Sequence, residues 1–167
     1  MGPSVASVHA SIDRGVRFLV KSQLAHGEFA TLASLDRGLA APCRWDSSPF
    51  VTTFALYALE QADHPDSRTA IERGVRFLLD ERESPGLWRY WTSRNPRRAR
   101  IPPDVDDTCC ASWILRRQGC DPGQNEPAIL ANRDAAGRFR TWFVPEYDAD
   151  AVVNANALLY LGERAET

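Results

Sequence analysis

The sequence predicts an all-α protein in which three helical hairpins follow one another along the chain. An eight-residue segment, Ile12 to Leu19, recurs 59 residues later as Ile71 to Leu78, with seven positions identical and one conservative. Three apolar runs of helical length follow the copies of this segment. No segment alternates apolar and polar residues for long, so we expect little or no sheet.

The first helix of each predicted hairpin is amphipathic. Apolar residues recur there with i, i+3, i+4 spacing, as in Val16, Leu19 and Val20, and Arg, Asp or Glu lie between them. The match continues beyond the helix, because Gly27-Glu28-Phe29 in the first copy corresponds to Gly86-Leu87-Trp88 in the second. A weaker third copy runs from Ala128 to Phe139. Such self-similarity is typical of stacked repeats.

The second helix of each hairpin is apolar nearly all round, which favours a buried position. These inner helices are predicted at residues 49–61, 106–118 and 152–161. Ser48-Pro49 is typical of a helix start, and Gly119 of a helix end. We therefore expect one domain, residues 1–167, with repeats at roughly 5–61, 66–118 and 125–162.

The composition is that of a water-soluble globular protein. The 167 residues are 44% hydrophobic and 25% charged, with a net charge of −2, which gives no general attraction to nucleic acid or to anionic membranes. The longest apolar run, residues 50–59, is too short for a transmembrane segment. The first residues resemble no signal peptide, and Ala6 does not fit a myristoylation motif. We expect a cytoplasmic protein with reduced, mostly buried cysteines.

Three carboxylates crowd the start of the second inner helix, at Asp104, Asp106 and Asp107. One aspartate is enough to cap a helix, and a second adds favourable charge at the positive end of the helix dipole. Crowded carboxyl groups keep protons that isolated ones release. A carboxyl group that is still protonated at neutral pH is able to act as a general acid.

Both the repeat and the acidic segment resemble those of a known superfamily. The first copy reads Arg14, Gly15, Phe18, Leu19, Gln23, Gly27 and Phe29, similar to the repeat of prenyltransferases and squalene cyclases. The segment from Asp104 to Thr108 resembles the acid motif of squalene-hopene cyclases and class II diterpene cyclases. The resemblance covers essentially the whole chain, and it implies an α/α-toroid-like fold of which three hairpins form about half.

The resemblance also implies an activity on isoprenoids, namely the proton-initiated cyclisation of a polyprenyl chain. Asp106 corresponds to the proton donor, with Asp104 and Asp107 tuning it. The carbocation that forms needs aromatic faces around it, and the candidates are Trp45, Phe50, Phe54, Trp88, Trp91, Trp113, Trp142 and Tyr147. To the substrate-binding residues we add Asp46, Thr108, Asn154 and Asn156.

Other polar residues have two interpretations each. Asp46, Asp148 and Asp150 precede inner helices, where they form either an acidic mouth that binds Mg²⁺ and a substrate diphosphate or separate helix caps. Asn154 and Asn156 point into a cavity or bridge two hairpins. The arginines Arg94, Arg97, Arg98 and Arg100 grip a diphosphate or belong to a solvated loop that neutralises nearby carboxylates.

Two alternatives to cyclisation remain open. The first is a non-catalytic module that binds lipid or protein. The second is a prenyltransferase-like enzyme, but the Asp107-Thr108-Cys109 segment has no later histidine to complete a zinc site. No redox cofactor is expected, and Mg²⁺ only with a diphosphate substrate. Because half a toroid exposes its apolar inner helices, we expect a homodimer or a complementary subunit.

Overall fold

The computed structural model describes residues 4–38, 40–144 and 149–162. In these residues the chain forms six α-helices, which confirms the all-α prediction. They are α1 Val5–Ser22, α2 Pro49–Ala62, α3 Ser67–Asp80, α4 Val105–Arg117, α5 Glu126–Ala131 and α6 Ala151–Gly162, and a 3₁₀ turn covers Arg98–Arg100. None of the helices within these ranges has the length and apolar character needed to span a membrane.

A small antiparallel ribbon lies between α1 and α2. Its strands are β1 Leu32–Ala33 and β2 Arg44–Trp45, and Leu32 pairs with Trp45. Two residues per strand bury very little surface, so this ribbon does not change the fold class. It places Trp45 and Asp46 just before the start of α2.

Helices α2, α4 and α6 lie side by side, with α4 in the middle. The guanidinium of Arg117 binds Glu60 at 2.9 Å near the C-terminal ends of α4 and α2, and the rings of Tyr57 and Trp113 meet at mid-helix with centroids 5.1 Å apart. These pairings show that α2 and α4 run in the same direction. Helices α1 and α3 pack on α2, and together they enclose the first core cluster.

A second core cluster joins α4, α5 and α6, with Val105, Ile129 and Tyr160 fully buried. Helix α5 is shorter than the other outer helices. It ends at Ala131, and the side-chain amide of the next residue, Asn132, donates to the carbonyls of Arg140 and Trp142 at 3.1 and 3.0 Å. The four cysteines form no disulfide; Cys109 and Cys110 are buried, whereas Cys43 is exposed.

The three hairpins share one local geometry. After each outer helix the chain turns at a glycine with positive φ, at Gly27, Gly86 and Gly137. The turn is closed by equivalent backbone bonds of 2.8, 2.8 and 2.9 Å, from Leu24 to Glu28, from Glu83 to Leu87 and from Asp134 to Arg138. The weak third copy of the sequence repeat therefore folds like the first two.

The aromatic residue after each of these glycines is tied to the inner helix of its own hairpin. The backbone amides of Phe29, Trp88 and Phe139 donate to the side-chain oxygens of Thr52, Thr108 and Asn154 at 3.0, 3.1 and 2.9 Å. Thr52, Thr108 and Asn154 therefore occupy equivalent positions. This correspondence provides a register for comparing the three inner helices residue by residue.

Candidate functional site

The inner helices begin with equivalent N-caps at Ser48, Asp104 and Asp150. The Ser48 hydroxyl accepts from the Phe50 amide at 3.2 Å, Asp104 from the Asp107 amide at 2.8 Å, and Asp150 from the Val152 amide at 2.7 Å. Capping thus explains one acid in the Asp104–Asp107 segment and also explains Asp150. Asp148 lies outside the described residues.

Asp106 and Asp107 have no such structural explanation. In the register of the repeats, α2 has Phe50 and Val51 at these positions, and α6 has Val152 and Val153. The fold accepts apolar side chains at both sites. The repeat therefore does not require the two carboxylates of α4. Residues that lower stability and have no structural role are candidates for function.

Asp107 and Asp104 form a buried carboxyl pair. Both side chains are almost inaccessible, and one oxygen of each lacks a hydrogen-bond partner among the described residues. Burial raises the pKa of Asp104 to about 7 and that of Asp107 well above its usual range, and the repulsion between the two groups adds to the shift for Asp107. The pair therefore holds a proton near neutral pH.

Asp106 lies on another face of α4, towards α6. Its carboxylate accepts a hydrogen bond of 2.7 Å from the side-chain amide of Asn156. Burial raises the pKa of Asp106, the Asn156 hydrogen bond opposes that rise, and the negative charge of Asp150 adds to it. Asp106 thus has an elevated pKa at a half-buried position, where a ligand is able to reach it.

A pocket of about 190 Å³ opens between the three inner helices, next to Asn156. Asp106 does not line the pocket itself, but it lies one turn before Cys110 and bonds to Asn156, and both of these residues line it. Burial raises the pKa values of Cys109 and Cys110 far above neutrality, so these thiols stay protonated. The lining residues are Thr53, Phe54, Tyr57, Cys109, Cys110, Trp113, Asn156 and Leu159.

A larger, open cavity of about 600 Å³ lies beside the β-ribbon, and Trp45, Asp46 and Arg97 contribute to it. Asp46 is held firmly there. Its carboxylate accepts from Asn95 at 2.8 Å and from the Trp91 indole at 3.2 Å, and the Arg97 guanidinium lies 3.6 Å away. None of these residues borders the pocket between the inner helices.

The structure brings some of the predicted residues together. Phe54, Trp113 and Asn156 line the pocket, and the ring of Phe50 lies 4.9 Å from that of Phe54. Trp142 pairs through its backbone with Asp104 and does not line the pocket. Tyr147 lies outside the described residues.

Three of the predicted substrate-binding residues have structural roles in the fold. The Trp88 indole is fully buried in the first core cluster and donates to the Leu78 carbonyl at 2.8 Å, so its ring does not reach the pocket. Thr108 and Asn154 hold the turns of their hairpins through the repeated bond to Trp88 and Phe139. Asn154 therefore acts within its own hairpin, whereas Asn156 bridges two hairpins through its bond to Asp106 of α4.

Sequence reasoning missed Thr53, Tyr57 and Leu159 as pocket residues. Tyr57 follows Phe54 by three residues on an apolar helix, and Leu159 follows Asn156 by the same interval. Helical spacing from residues already selected therefore contained the signal. Tyr90 was not selected from the sequence either, although its phenol interacts with two of the predicted acids. Burial raises the pKa of this phenol, and the charges of Asp46 and Asp107 raise it further.

The arginine-rich loop contacts carboxylates. Arg98 pairs with Glu81 at 3.1 Å and with Glu83 at 2.6 Å, and Arg97 pairs with Asp46. Arg97 and Arg98 therefore pair with nearby carboxylates, as the second interpretation of this loop expects. Within the described part of the chain, no group of three or more His, Cys, Asp or Glu side chains is arranged to hold a metal ion.

Comparison of the chain with protein-family models, curated proteins and solved structures finds no match in any of the three.

Proposed function

We propose that the protein is an isoprenoid-active, class II terpene-cyclase-like enzyme that starts cyclisation by proton transfer from Asp106. One observation carries the proposal. At two positions where the other inner helices have apolar residues, α4 has the carboxyl groups Asp106 and Asp107, and Asp106 bonds to Asn156, which lines an aromatic pocket.

The proposed reaction begins at the terminal double bond of a polyprenyl chain. The Asp106 O–H transfers its proton to the less substituted carbon of the terminal double bond, whose π electrons form the new C–H bond, and the dimethyl-substituted carbon becomes a tertiary cation. The next double bond attacks this cation and closes a ring. The last cation loses a proton to water, and a proton from water restores Asp106.

The environment of Asp106 suits both halves of this transfer. Partial burial raises the pKa of Asp106, which favours the protonated form of its carboxyl group. Once the proton has left, the Asn156 amide and the positive end of the α4 dipole stabilise the carboxylate. An alkene is a very weak base, so a donor whose conjugate base is stabilised in this way is what the step requires.

The pocket walls suit a cationic intermediate. Phe54, Tyr57 and Trp113 present aromatic rings, whose faces attract cations, and Leu159 and the protonated thiols complete an apolar lining. At about 190 Å³ the pocket is smaller than the roughly 300–1,000 Å³ of typical ligand sites. We propose that it is part of a larger cavity, because parallel inner helices backed by outer helices suit half of an α/α-toroid.

The test is an assay with squalene and with geranylgeranyl diphosphate. We expect the wild-type protein to form cyclic products and Asp106→Asn to form none, because the amide has no acidic proton to give. The control is Asp80→Asn, which changes an exposed aspartate on α3 and is expected to retain full turnover. Equal turnover in Asp106→Asn and the wild-type protein would assign Asp106 a purely structural role.

A second candidate is a lipid-binding module that transfers no proton. The observation in its favour is the exposure of Phe54 and Leu159 at the mouth of the pocket, which gives an apolar tail direct access. This candidate predicts that a fluorescent prenyl probe binds to the wild-type protein and to Asp106→Asn with equal affinity and is recovered unchanged. Recovery of a cyclised product would exclude it.

A further inference from the structure

The internal junctions between hairpins are closely packed at the turn glycines. A Cβ atom on Gly27 would lie 2.2 Å from the Arg73 carbonyl oxygen of α3, and one on Gly86 would lie 2.5 Å from the Pro122 carbonyl oxygen before α5. Each glycine thus faces the backbone of the following hairpin. Gly137 has the same turn geometry, but it is exposed, and no described atom lies within 4 Å of its Cβ position.

The outer helices show the same contrast. Gly74 of α3 lies against Leu56 of α2, so that a Cβ would come within 2.6 Å of that leucine, whose exposure is 0%. The equivalent glycine of α1 is Gly15, 59 residues earlier, and its Cβ position is open. In the register of the inner helices Leu56 corresponds to Leu158 of α6, which is 64% exposed.

A phenylalanine that α1 and α3 share at equivalent positions repeats the pattern. Phe77 of α3 is 2% exposed and packs on the turn of the preceding hairpin, with its ring 5.8 Å from that of His26. Phe18 is its equivalent on α1 and is 69% exposed. The surface of α1 therefore matches the junction face of α3, and the surface formed by α6 and the Gly137 turn matches the face on which α3 packs.

We infer that these two surfaces bind each other between two copies of the chain. In this contact Gly15 of one copy lies against Leu158 of the other, as Gly74 lies against Leu56. Phe18 packs on the turn at Gly137, as Phe77 packs on the turn at Gly27. The inference follows from the internal junctions and does not depend on the proposed chemistry.

Polar contacts at the junctions support the same pairing. The Gln23 amide donates across the first junction to the Ala70 carbonyl at 2.8 Å, and the Arg82 guanidinium donates across the second to the Asp121 carbonyl at 2.9 Å. Each side chain lies four residues before its turn glycine. The third residue in this series is Arg133, which is exposed and whose guanidinium lies over the Phe139 ring, 4.8 Å from its centroid.

The contact joins two different surfaces, so two copies related by a two-fold axis make it twice. A closed pair of this kind contains six hairpins. The inner helices of both copies then face a common space, which gives the open pocket between α2, α4 and α6 the walls that one chain does not supply. Without closure the same contact would propagate into a filament.

Size-exclusion chromatography with light-scattering detection measures the molecular mass of the assembly directly. We expect the wild-type protein to have twice the 18.6 kDa of one chain. Phe18→Glu and Leu158→Glu each place a charge in the contact, and both are expected to reduce the mass to that of one chain with an unchanged helical circular dichroism spectrum. Leu35→Glu is the control, because Leu35 is 100% exposed and lies on neither surface, so its mass stays doubled.

Cross-linking tests the register. With Cys43→Ser as background to remove the exposed native thiol, Gly15→Cys combined with Leu158→Cys is expected to give an oxidised product of two chains. Either cysteine alone is expected to give none. The inference would be overturned if the wild-type protein were monomeric at all concentrations. It would also be overturned if Phe18→Glu and Leu158→Glu left the dimer unchanged, or if cross-linking gave a ladder of products larger than two chains.

Discussion

Asp104, Asp106 and Asp107 share one helix start, yet they lie in three environments. Asp104 is the N-cap of α4, Asp107 projects into the interior beside it, and Asp106 faces α6 and the pocket. A helix turns by about 100° per residue, so neighbouring carboxyl groups point in different directions. Asp104 and Asp107 are enclosed in the interior, whereas Asp106 is half-buried and bonds to Asn156, which lines the pocket.

The buried pair predicts a specific dependence of stability on pH. An unfolded aspartate has a pKa of about 3.8, whereas the folded pKa of Asp104 is about 7 and that of Asp107 is raised. Stability is therefore fully present below the unfolded pKa and is lost as pH rises through the folded pKa. The loss amounts to about 1.4 kcal/mol for each unit by which a pKa is raised.

Asp107→Asn removes one charge of this pair, and we expect it to raise the free energy of unfolding at pH 8 more than at pH 5. Urea titrations of wild-type and variant proteins at the two pH values measure the difference. Asp80→Asn is the exposed control, for which we expect no change at either pH. An equal effect of Asp107→Asn at both pH values would show that Asp107 is ionised throughout.

The hairpin is built around one repeated hydrogen bond, from the amide of the aromatic residue after the turn to the inner helix. The bond joins the turn to the inner helix, and its acceptor is Thr52, Thr108 or Asn154. A buried amide must find a partner. The acceptor residues are therefore specified by the fold, although their polarity resembles that of a binding site.

Thr108→Val keeps the shape of the side chain and removes the acceptor for the buried Trp88 amide. We expect the free energy of unfolding to fall by roughly 1–3 kcal/mol, because the amide loses its partner. Thr53→Val is a matched control, since the Thr53 hydroxyl bonds only to the Phe50 carbonyl one turn earlier. Chemical denaturation of both variants makes the comparison, and equal losses would contradict the assigned role.

At the scale of the molecule, three parallel inner helices bring their positive ends and their acids to one side of the fold. Tyr90 lies where the charges of Asp46 and Asp107 both act on its phenol, and Asp150 acts on Asp106. The apolar faces of the same helices meet at the pocket. The fold thereby places an acid beside an apolar, aromatic surface, as proton transfer to an alkene requires.

Much of this arrangement follows from sequence periodicity. The repeat at 59 residues predicts the hairpins, and Ser48-Pro49 predicts the start of α2. The structural role of Thr108 could also be predicted from the sequence, because the offset of 56 residues between the first two inner helices aligns Thr108 with Thr52. The burial of Trp88 could not be predicted, since its indole packs in a core cluster formed by residues of four different helices.

The most direct test of the proposed function is the cyclisation of a polyprenyl substrate in D₂O, analysed by mass spectrometry and NMR. We predict one deuterium in the cyclic product, at the carbon that was the less substituted carbon of the terminal double bond. The deuterium comes from the Asp106 carboxyl group, whose proton has exchanged with D₂O, and Asp106→Asn is expected to give no product. A cyclic product without that deuterium, or the same labelled product from Asp106→Asn, would contradict it.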